Sequence, residues 1–201
     1  MKRLHLSLIA LIGSILLFIV ASFAWFTYAG YADIDWFNSS VAGYDVELEL
    51  YESEDDITYE IVDDISFDNL SPGDTVYYLM NITNQQEQEV LAEVFLIGFI
   101  NTMSDGSEYT SDYSLIEAIF ITTYLEEDLK INNQLLSDLL ISAPDYESAQ
   151  LSIVGIFTIA GLETKTINFN LTIATNIGNE YQNLGFDVDN IYIALDSADG
   201  S

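Results

Sequence analysis

Alternation of apolar and polar residues with a period of two constrains the fold of this chain more than any other feature. Residues 44–50 place four apolar side chains on one face of an extended chain, with acids between them: Tyr44, Val46, Leu48 and Leu50. Successive side chains of a β-strand point to opposite sides of its sheet, so this pattern is typical of a half-buried antiparallel strand. We therefore predict a strand that begins the folded domain.

The pattern recurs along the chain and predicts further strands. Residues 57–67 put Ile57, Tyr59, Ile61, Ile65 and Phe67 on one face, and the apolar run 90–100 predicts a central strand buried on both faces. Other strands are predicted over 76–82, 119–125, 151–157, 164–174 and 186–195. Residues 115–118 predict a helical turn and 134–141 a short helix. The predicted class is all-β, a jelly-roll-like antiparallel β-sandwich with a minor helix.

The first 24 residues have the features of an export signal. Lys2 and Arg3 precede an apolar stretch over 6–20, and small residues follow at 21–24. We predict a signal peptide over 1–24, cleaved between Ala24 and Trp25, and hence a secreted, extracellular or cell-surface protein. The alternative is a retained anchor, because 6–24 approaches the roughly 20 residues that span a bilayer.

Charge and missing residue types restrict the chemistry. Removal of residues 1–24 would leave two basic residues against 33 acids, a net charge of −31, with no His and no Cys. This composition excludes a Ser-His-Asp triad, a Cys nucleophile, a His-ligated zinc site and disulfides. It also argues against nucleic acid as a partner, because phosphates are bound by Lys and Arg.

The segment after the leader alternates as well, with aromatic side chains. In an extended chain one face carries Phe26, Tyr28, Gly30, Ala32, Ile34 and Trp36. The eleven residues 26–36, at about 3.3 Å each, reach roughly 35 Å, which is enough to cross a sandwich. The segment either joins its own sheet or pairs with a second copy of the chain.

Four short motifs, in this order, resemble the TasA/camelysin family of extracellular fibre proteins with SipW-type signal peptides. They are Ser22-Phe23-Ala24-Trp25-Phe26-Thr27, Val41-Ala42-Gly43, Asn69-Leu70-Ser71-Pro72-Gly73-Asp74 and Gly178-Asn179-Glu180-Tyr181-Gln182-Asn183. The resemblance implies a secreted subunit of a biofilm matrix or pilus-like filament that lends its N-terminal strand to a neighbour. It implies a donor-strand segment over 25–40 and a β-sandwich domain over 41–201, with other copies of the chain as partners.

The acids and the sequons raise further hypotheses. Three acidic runs offer oxygen ligands for Ca²⁺, at 52–56, 63–64 and 126–128, and 187–190 begins like a calcium loop but lacks its distal Glu. We interpret these runs as solvated surface, with Ca²⁺ binding as the alternative, and expect no required cofactor. Asn38, Asn81 and Asn170 are candidate glycosylation acceptors, whereas Asn69 precedes Ser71-Pro72, a poor context.

Catalysis is not expected. Carboxylate pairs arise by chance among 33 acids, and no Asp-Thr-Gly motif is present. The peptidase label attached to the resembled family does not carry over, because the chain has no His-Glu-x-x-His motif. We expect a non-enzymatic structural subunit; the alternative is a monomeric surface module, held at the membrane only by an uncleaved leader, that binds calcium or an extracellular polymer.

Overall fold

A computed structural model describes residues 38–39, 44–67, 71–103, 109, 113–140, 145–181 and 183–198, the first pair by its backbone alone. Residues 34–201 form one compact unit. Two antiparallel sheets in the described residues form a sandwich with one short α-helix. The prediction of an all-β, jelly-roll-like antiparallel β-sandwich with a minor helix is confirmed.

The described strands follow one another in short steps. They are β1 Asn38–Ser39, β2 Val46–Ser53, β3 Glu60–Ile61, β4 Ile65–Phe67, β5 Thr75–Asn84, β6 Val90–Met103, β7 Ile119–Leu125, β8 Asp128–Leu135, β9 Gln150–Ser152, β10 Phe157–Ile159, β11 Thr164–Ile173 and β12 Leu184–Ser197. A 3₁₀ turn, Leu115–Ala118, precedes β7, the α-helix Leu136–Leu139 follows β8, and a second 3₁₀ turn, Asn179–Tyr181, precedes β12.

The chain passes back and forth between the two sheets. Sheet A has the order β1-β2-β5-β11-β7-β8, with β3 also paired to β2, and sheet B has the order β10-β6-β12-β4, with β9 also paired to β6. In sheet B the long strands β6 and β12 lie between the short strands β10 and β4, and the β6–β12 pair extends from Val90–Ser197 to Met103–Leu184.

A continuous apolar core lies between the sheets. Its centre is a set of aromatic contacts: the rings of Tyr78 and Phe169 stack at 5.0 Å, and those of Phe67 and Phe186 stack at 5.0 Å. Phe99 adds a tilted contact with Phe186 at 6.1 Å. The alternation predicted for β2 and β5 is confirmed, because their inward residues are buried and their outward residues are half-buried.

Several local predictions were wrong. Ile57 and Ile61 are 82% and 63% exposed, so only Ile65 and Phe67 of the predicted 57–67 face enter the core. The run 90–100 is central but buried mainly on one face, because its alternate residues are half-buried. The helix predicted over 134–141 shrinks to Leu136–Leu139, and the preceding residues belong to β8, which was not predicted.

Candidate functional site

One side of the sandwich brings together the edges of both sheets. Residues 62–64 connect β3, on the outer side of β2 in sheet A, to β4, on the outer side of β12 in sheet B. Such a short link can span only the roughly 10 Å between facing sheets, so the β2 and β12 edges lie on the same side. We call this the crossover side. β1 lies there too, because it pairs with Val46 and Glu47 of β2.

Strand β12 is only partly covered on the crossover side. β4 pairs with Phe186, Asp187 and Val188 alone, whereas β6 pairs with the other side of β12 along its whole length. Among the described residues no strand pairs with the outer side of residues 189–196. We call these eight residues the β12 edge. Behind them, Ile191 and Ile193 are buried in the core.

The β12 edge begins at a kink that only glycine fits. Gly98 of β6 has a φ of +71°, and a Cβ at this position would lie 2.7 Å from the Cβ of Asp189. The pairing continues in register on both sides of the kink, from Phe99–Val188 to Ile97–Asn190. The inward-facing residues nevertheless change from even to odd numbers along β12, from Val188 to Ile191. The kink therefore turns the rest of β12 relative to the part that β4 covers.

The predicted donor strand and cleavage site lie outside the described residues. This applies to Ala24, Trp25, Phe26, Tyr28, Gly30, Ala32, Ile34 and Trp36. The structure places only the end of the predicted segment, because the backbone of Asn38–Ser39 forms β1 on the crossover side. In the described part of the chain no helix is long and apolar enough to span a membrane.

The acidic turn that follows β2 is held by its own carboxylates. Asp55 Oδ1 accepts hydrogen bonds from the backbone N–H groups of Ile57 and Thr58 at 2.9 and 2.8 Å, and from Ser53 Oγ at 2.9 Å. These bonds, the one from Thr58 above all, lower the pKa of Asp55 below its usual range. The carboxylate of Asp55 therefore holds the turn together.

Glu52 is an acid on the inward face of β2. It lies opposite Tyr78 of β5, whose side chain is buried and whose hydroxyl is 3.4 Å from the Ser66 carbonyl oxygen. Burial raises the pKa of Glu52, and the carboxylates of Asp64 and Glu54 raise it further, while a hydrogen bond from Tyr78 opposes them. Burial also raises the pKa of Tyr78.

The β7–β8 turn carries the third acidic run beside a shallow depression. Lys165 Nζ lies 3.2 Å from Glu126 Oε1 and 2.8 Å from Glu163 Oε1, so part of the charge is balanced. The depression is lined by Leu125, Glu126, Glu127, Asp128, Thr166 and Asn168. Within the described ranges no three Asp, Glu, His or Cys side chains are grouped closely enough to hold a metal ion. Calcium binding stays a sequence-based hypothesis.

Two candidate glycosylation acceptors lie in the middle of central strands. Asn81 of β5 and Asn170 of β11 are half-buried on the outward face of sheet A. Asn81 Oδ1 accepts a hydrogen bond from Thr166 Oγ1 at 2.9 Å. Asn38 belongs to β1, and Asn69 lies outside the described residues. A glycan on Asn81 or Asn170 would therefore project from the outer face of sheet A.

Comparison with known proteins shows only distant likenesses. No protein-family model and no curated protein matches the chain. Similar solved structures include a β-glucosidase from Kluyveromyces marxianus in complex with glucose, with a TM-score of 0.36, 10% identity, and coverage of 75% of this chain and 17% of that one. A mutant xylanase 10C from Cellvibrio japonicus in complex with xylopentaose has a TM-score of 0.32, 13% identity, and coverage of 76% and 28%.

A smaller protein gives a similar result. The CBM3 of Hungateiclostridium clariflavum has a TM-score of 0.25, 13% identity, and coverage of 76% of this chain and 93% of that one. This chain spans less than a third of each of the two enzymes. With TM-scores this low, none of the three carries an argument about function. None is named as a TasA or camelysin protein, so that resemblance stays a prediction.

Proposed function

We propose that this protein is a non-enzymatic structural subunit of an extracellular or cell-surface filament, which polymerises by donating its N-terminal segment to a neighbouring subunit. The observation that carries the proposal is the position of β1. It pairs with β2 on the crossover side, so the aromatic residues 26–36 precede a strand on the side where pairing is incomplete among the described residues. The resemblance to fibre proteins points to the same mechanism.

The energy available from such a strand is sufficient for a durable contact. Burial of Phe26, Tyr28, Ile34 and Trp36, at roughly 1.5 to 3 kcal/mol each, would contribute about 6 to 12 kcal/mol. Ordering the segment and restricting two subunits oppose this gain. Main-chain hydrogen bonds to an open strand add to it, as in other cases of strand addition.

Charge sets the conditions for assembly. The full chain has a formal net charge of −29, so copies repel one another at low ionic strength. At about 1 M salt the Debye length falls to roughly 3 Å and this repulsion is largely screened. Assembly should therefore accelerate with salt, acid or divalent cations, and light scattering would measure the rate. Faster assembly in pure water than in 1 M salt would contradict this expectation.

Microscopy of paired variants tests the function itself. Phe26→Ser with Trp36→Ser removes two anchors from the apolar face, whereas Asp33→Asn with Asp35→Asn changes the opposite face of the same segment. Negative-stain images should show filaments for the unmodified chain and the second variant, and none for the first. N-terminal sequencing of the filaments should begin at Trp25.

Two further results would refute the proposal. The first is a chain that stays monomeric across titrations of salt, acid and calcium. The second is a variant lacking residues 25–37 whose melting temperature and assembly match those of the unmodified chain.

A further inference from the structure

We infer that the acceptor for the donated segment is the β12 edge, and that residues 26–36 of a second copy pair with it as an antiparallel strand. This inference rests on the proposed function and adds the surface that receives the donor. Three observations support it: β4 pairs with only part of β12, the residues of the β12 edge are apolar in the middle, and the other sheet edges are partly covered or interrupted.

The β12 edge has the composition of a strand that needs a partner. Its sequence is Asp189-Asn190-Ile191-Tyr192-Ile193-Ala194-Leu195-Asp196, apolar and rich in β-branched residues in the middle, with no Lys and no Pro. Tyr192 is 43% exposed and its ring lies 6.2 Å from that of Phe95. Natural proteins protect such edges with charges, prolines, bulges or a covering segment, because an open apolar edge recruits other chains.

Among the described residues, the other edges of the two sheets are each partly covered or interrupted. On the crossover side, β1 and β3 pair with the two ends of β2, four of its eight residues, and Val62 N–H donates to the Leu50 carbonyl oxygen at 3.0 Å. On the opposite side of sheet B, β9 and β10 cover residues 90–97 of β6, and between them the N–H of Ile153 donates to the Val94 carbonyl oxygen at 3.1 Å. The fourth edge, β8, is mostly exposed, carries Lys130, and pairs with β7 through register shifts.

The donor and the acceptor match in length and in face. Eight residues of β12 span about 26 Å, so most of an eleven-residue donor can pair with them. Ile191 and Ile193 face the core, and a neighbouring strand would place its own apolar face in the same layer. Every described strand pair of sheet B is antiparallel, so an antiparallel donor continues the sheet.

Each donor also leaves its own β12 edge open for the next copy. A contact between two different surfaces of identical subunits generates an open chain unless the rotation closes a ring. Addition of one strand per subunit would therefore produce a head-to-tail filament without any further interface.

Cysteine cross-linking tests the inference directly, because the natural sequence has no cysteine. Single cysteines at Thr27, Ala29, Tyr31, Asp33 or Asp35 lie on the outward face of the donor. Each full-length variant is mixed with a full-length variant carrying Asn190→Cys or Ala194→Cys, both half-buried on the outward face of β12. Asn132→Cys on the exposed β8 edge is the control acceptor, and melting temperatures verify that every variant folds.

We expect mixed disulfide dimers with residues 190 and 194 and none with residue 132. For an antiparallel donor, the position that links best to residue 190 should lie four residues C-terminal to the position that links best to residue 194. The reverse order would refute antiparallel pairing.

Three other outcomes are informative. Filaments that form without links to residues 190 and 194, or with links to residue 132, would overturn the acceptor assignment and leave the proposed function intact. A further variant carries a donor cysteine together with Asn190→Cys in one chain. Linkage only within that chain, with no mixed dimers, would show that each copy covers its own edge, which overturns exchange between copies. A chain that forms no filaments would refute the proposed function, and the inference with it.

Discussion

The two long outer edges of this sandwich, β8 and the β12 edge, are built in opposite ways. Six of the eight residues of β8 are exposed, and the strand contains Lys130 and pairs with β7 through register shifts next to Thr123. Its Asn133 has a φ of +46°, which bends the strand. Residues 189–196 instead pair regularly with β6 and have an apolar middle.

This difference shows which edge is adapted to remain alone. Bulges, a lysine and a bent backbone each interfere with strand addition, and β8 has all three. The β8 backbone also uses side chains of β7, because the N–H groups of Ile131 and Asn133 donate to the hydroxyls of Thr123 and Thr122 at 3.2 and 3.1 Å. The β12 edge carries charges only at its two ends, Asp189 and Asp196, and its inner residues Ile191 and Ile193 belong to the core.

Truncation of Phe186, in the part of β12 that β4 covers, should produce the largest difference in stability between the β12 side and the β8 side. Its buried ring joins Phe67 of β4 to Phe99 of β6, so Phe186→Ala leaves a cavity where β4 meets β12. We expect a loss of about 3 to 5 kcal/mol in the free energy of unfolding, measured by chemical denaturation. The matched variant Leu129→Ala on β8, where the side chain is 47% exposed, should cost less than about 0.5 kcal/mol. Equal losses would contradict the comparison.

Substitution of Gly98 tests the kink at which the β12 edge begins. Gly98→Ala combines a positive φ with a Cβ 2.7 Å from Asp189 Cβ, and we expect a loss of about 2 to 4 kcal/mol. Gly155→Ala is the control, because Gly155 has a similar φ of +73° but nothing within 4 Å of the added Cβ. The control should cost only about 1 to 2 kcal/mol. Similar melting temperatures for the two variants would show that the contact between the added Cβ and Asp189 is relieved without loss of stability.

The sequence predicts the strands of this molecule better than it predicts the edges. The predicted strand over 119–125 and the helical turn over 115–118 agree with the structure, because alternation and β-branched residues are local signals. The turn at Pro72-Gly73 is confirmed too: the N–H of Asp74 donates to the Ser71 carbonyl oxygen at 3.0 Å, and Gly73 has a φ of +92°.

Local signals fail where tertiary contacts decide. Ile57 and Ile61 fit the period of a buried strand, but β3 holds only two residues and both are exposed. β8 was missed because its residues alternate weakly, and it forms by pairing with β7. The β12 edge could not be found from sequence, since a strand's own pattern does not reveal that its neighbour β4 ends after three residues. The open edge becomes visible only when the 14-residue β12 is seen to pair with the three-residue β4, and that pairing is not written in either strand's own sequence.

Protonation of Glu52, on the crossover side, should increase the free energy of unfolding. Its pKa is raised above the ordinary 4.5, mainly by burial, so the folded state binds this proton more tightly than the unfolded chain. The stabilising contribution is therefore complete below the ordinary pKa and is lost as pH rises through the raised one. Glu52→Gln should increase stability at neutral pH by less than about 1 kcal/mol.

The pH dependence of the melting temperature is the decisive measurement for Glu52. Glu52→Gln should flatten this dependence just above pH 4.5. If Glu52→Gln lowers the melting temperature at neutral pH, the ionised carboxylate of Glu52 stabilises the fold, which is the opposite of the expected effect.

The smallest effect should come from the ion pairs beside the β7–β8 turn, because charges at that surface are largely solvated. Lys165→Gln removes the contacts with Glu126 and Glu163 and should lower the melting temperature by roughly 1 to 3 °C at low salt. The loss should fade in 1 M salt, where screening acts over roughly 3 Å. Lys130→Gln is the control, since Lys130 makes no ion pair with any described residue. If both variants lower the melting temperature equally, the effect comes from net charge. If only Lys165→Gln lowers it, the β8 side depends on specifically placed charges, whereas the β12 side depends on apolar packing.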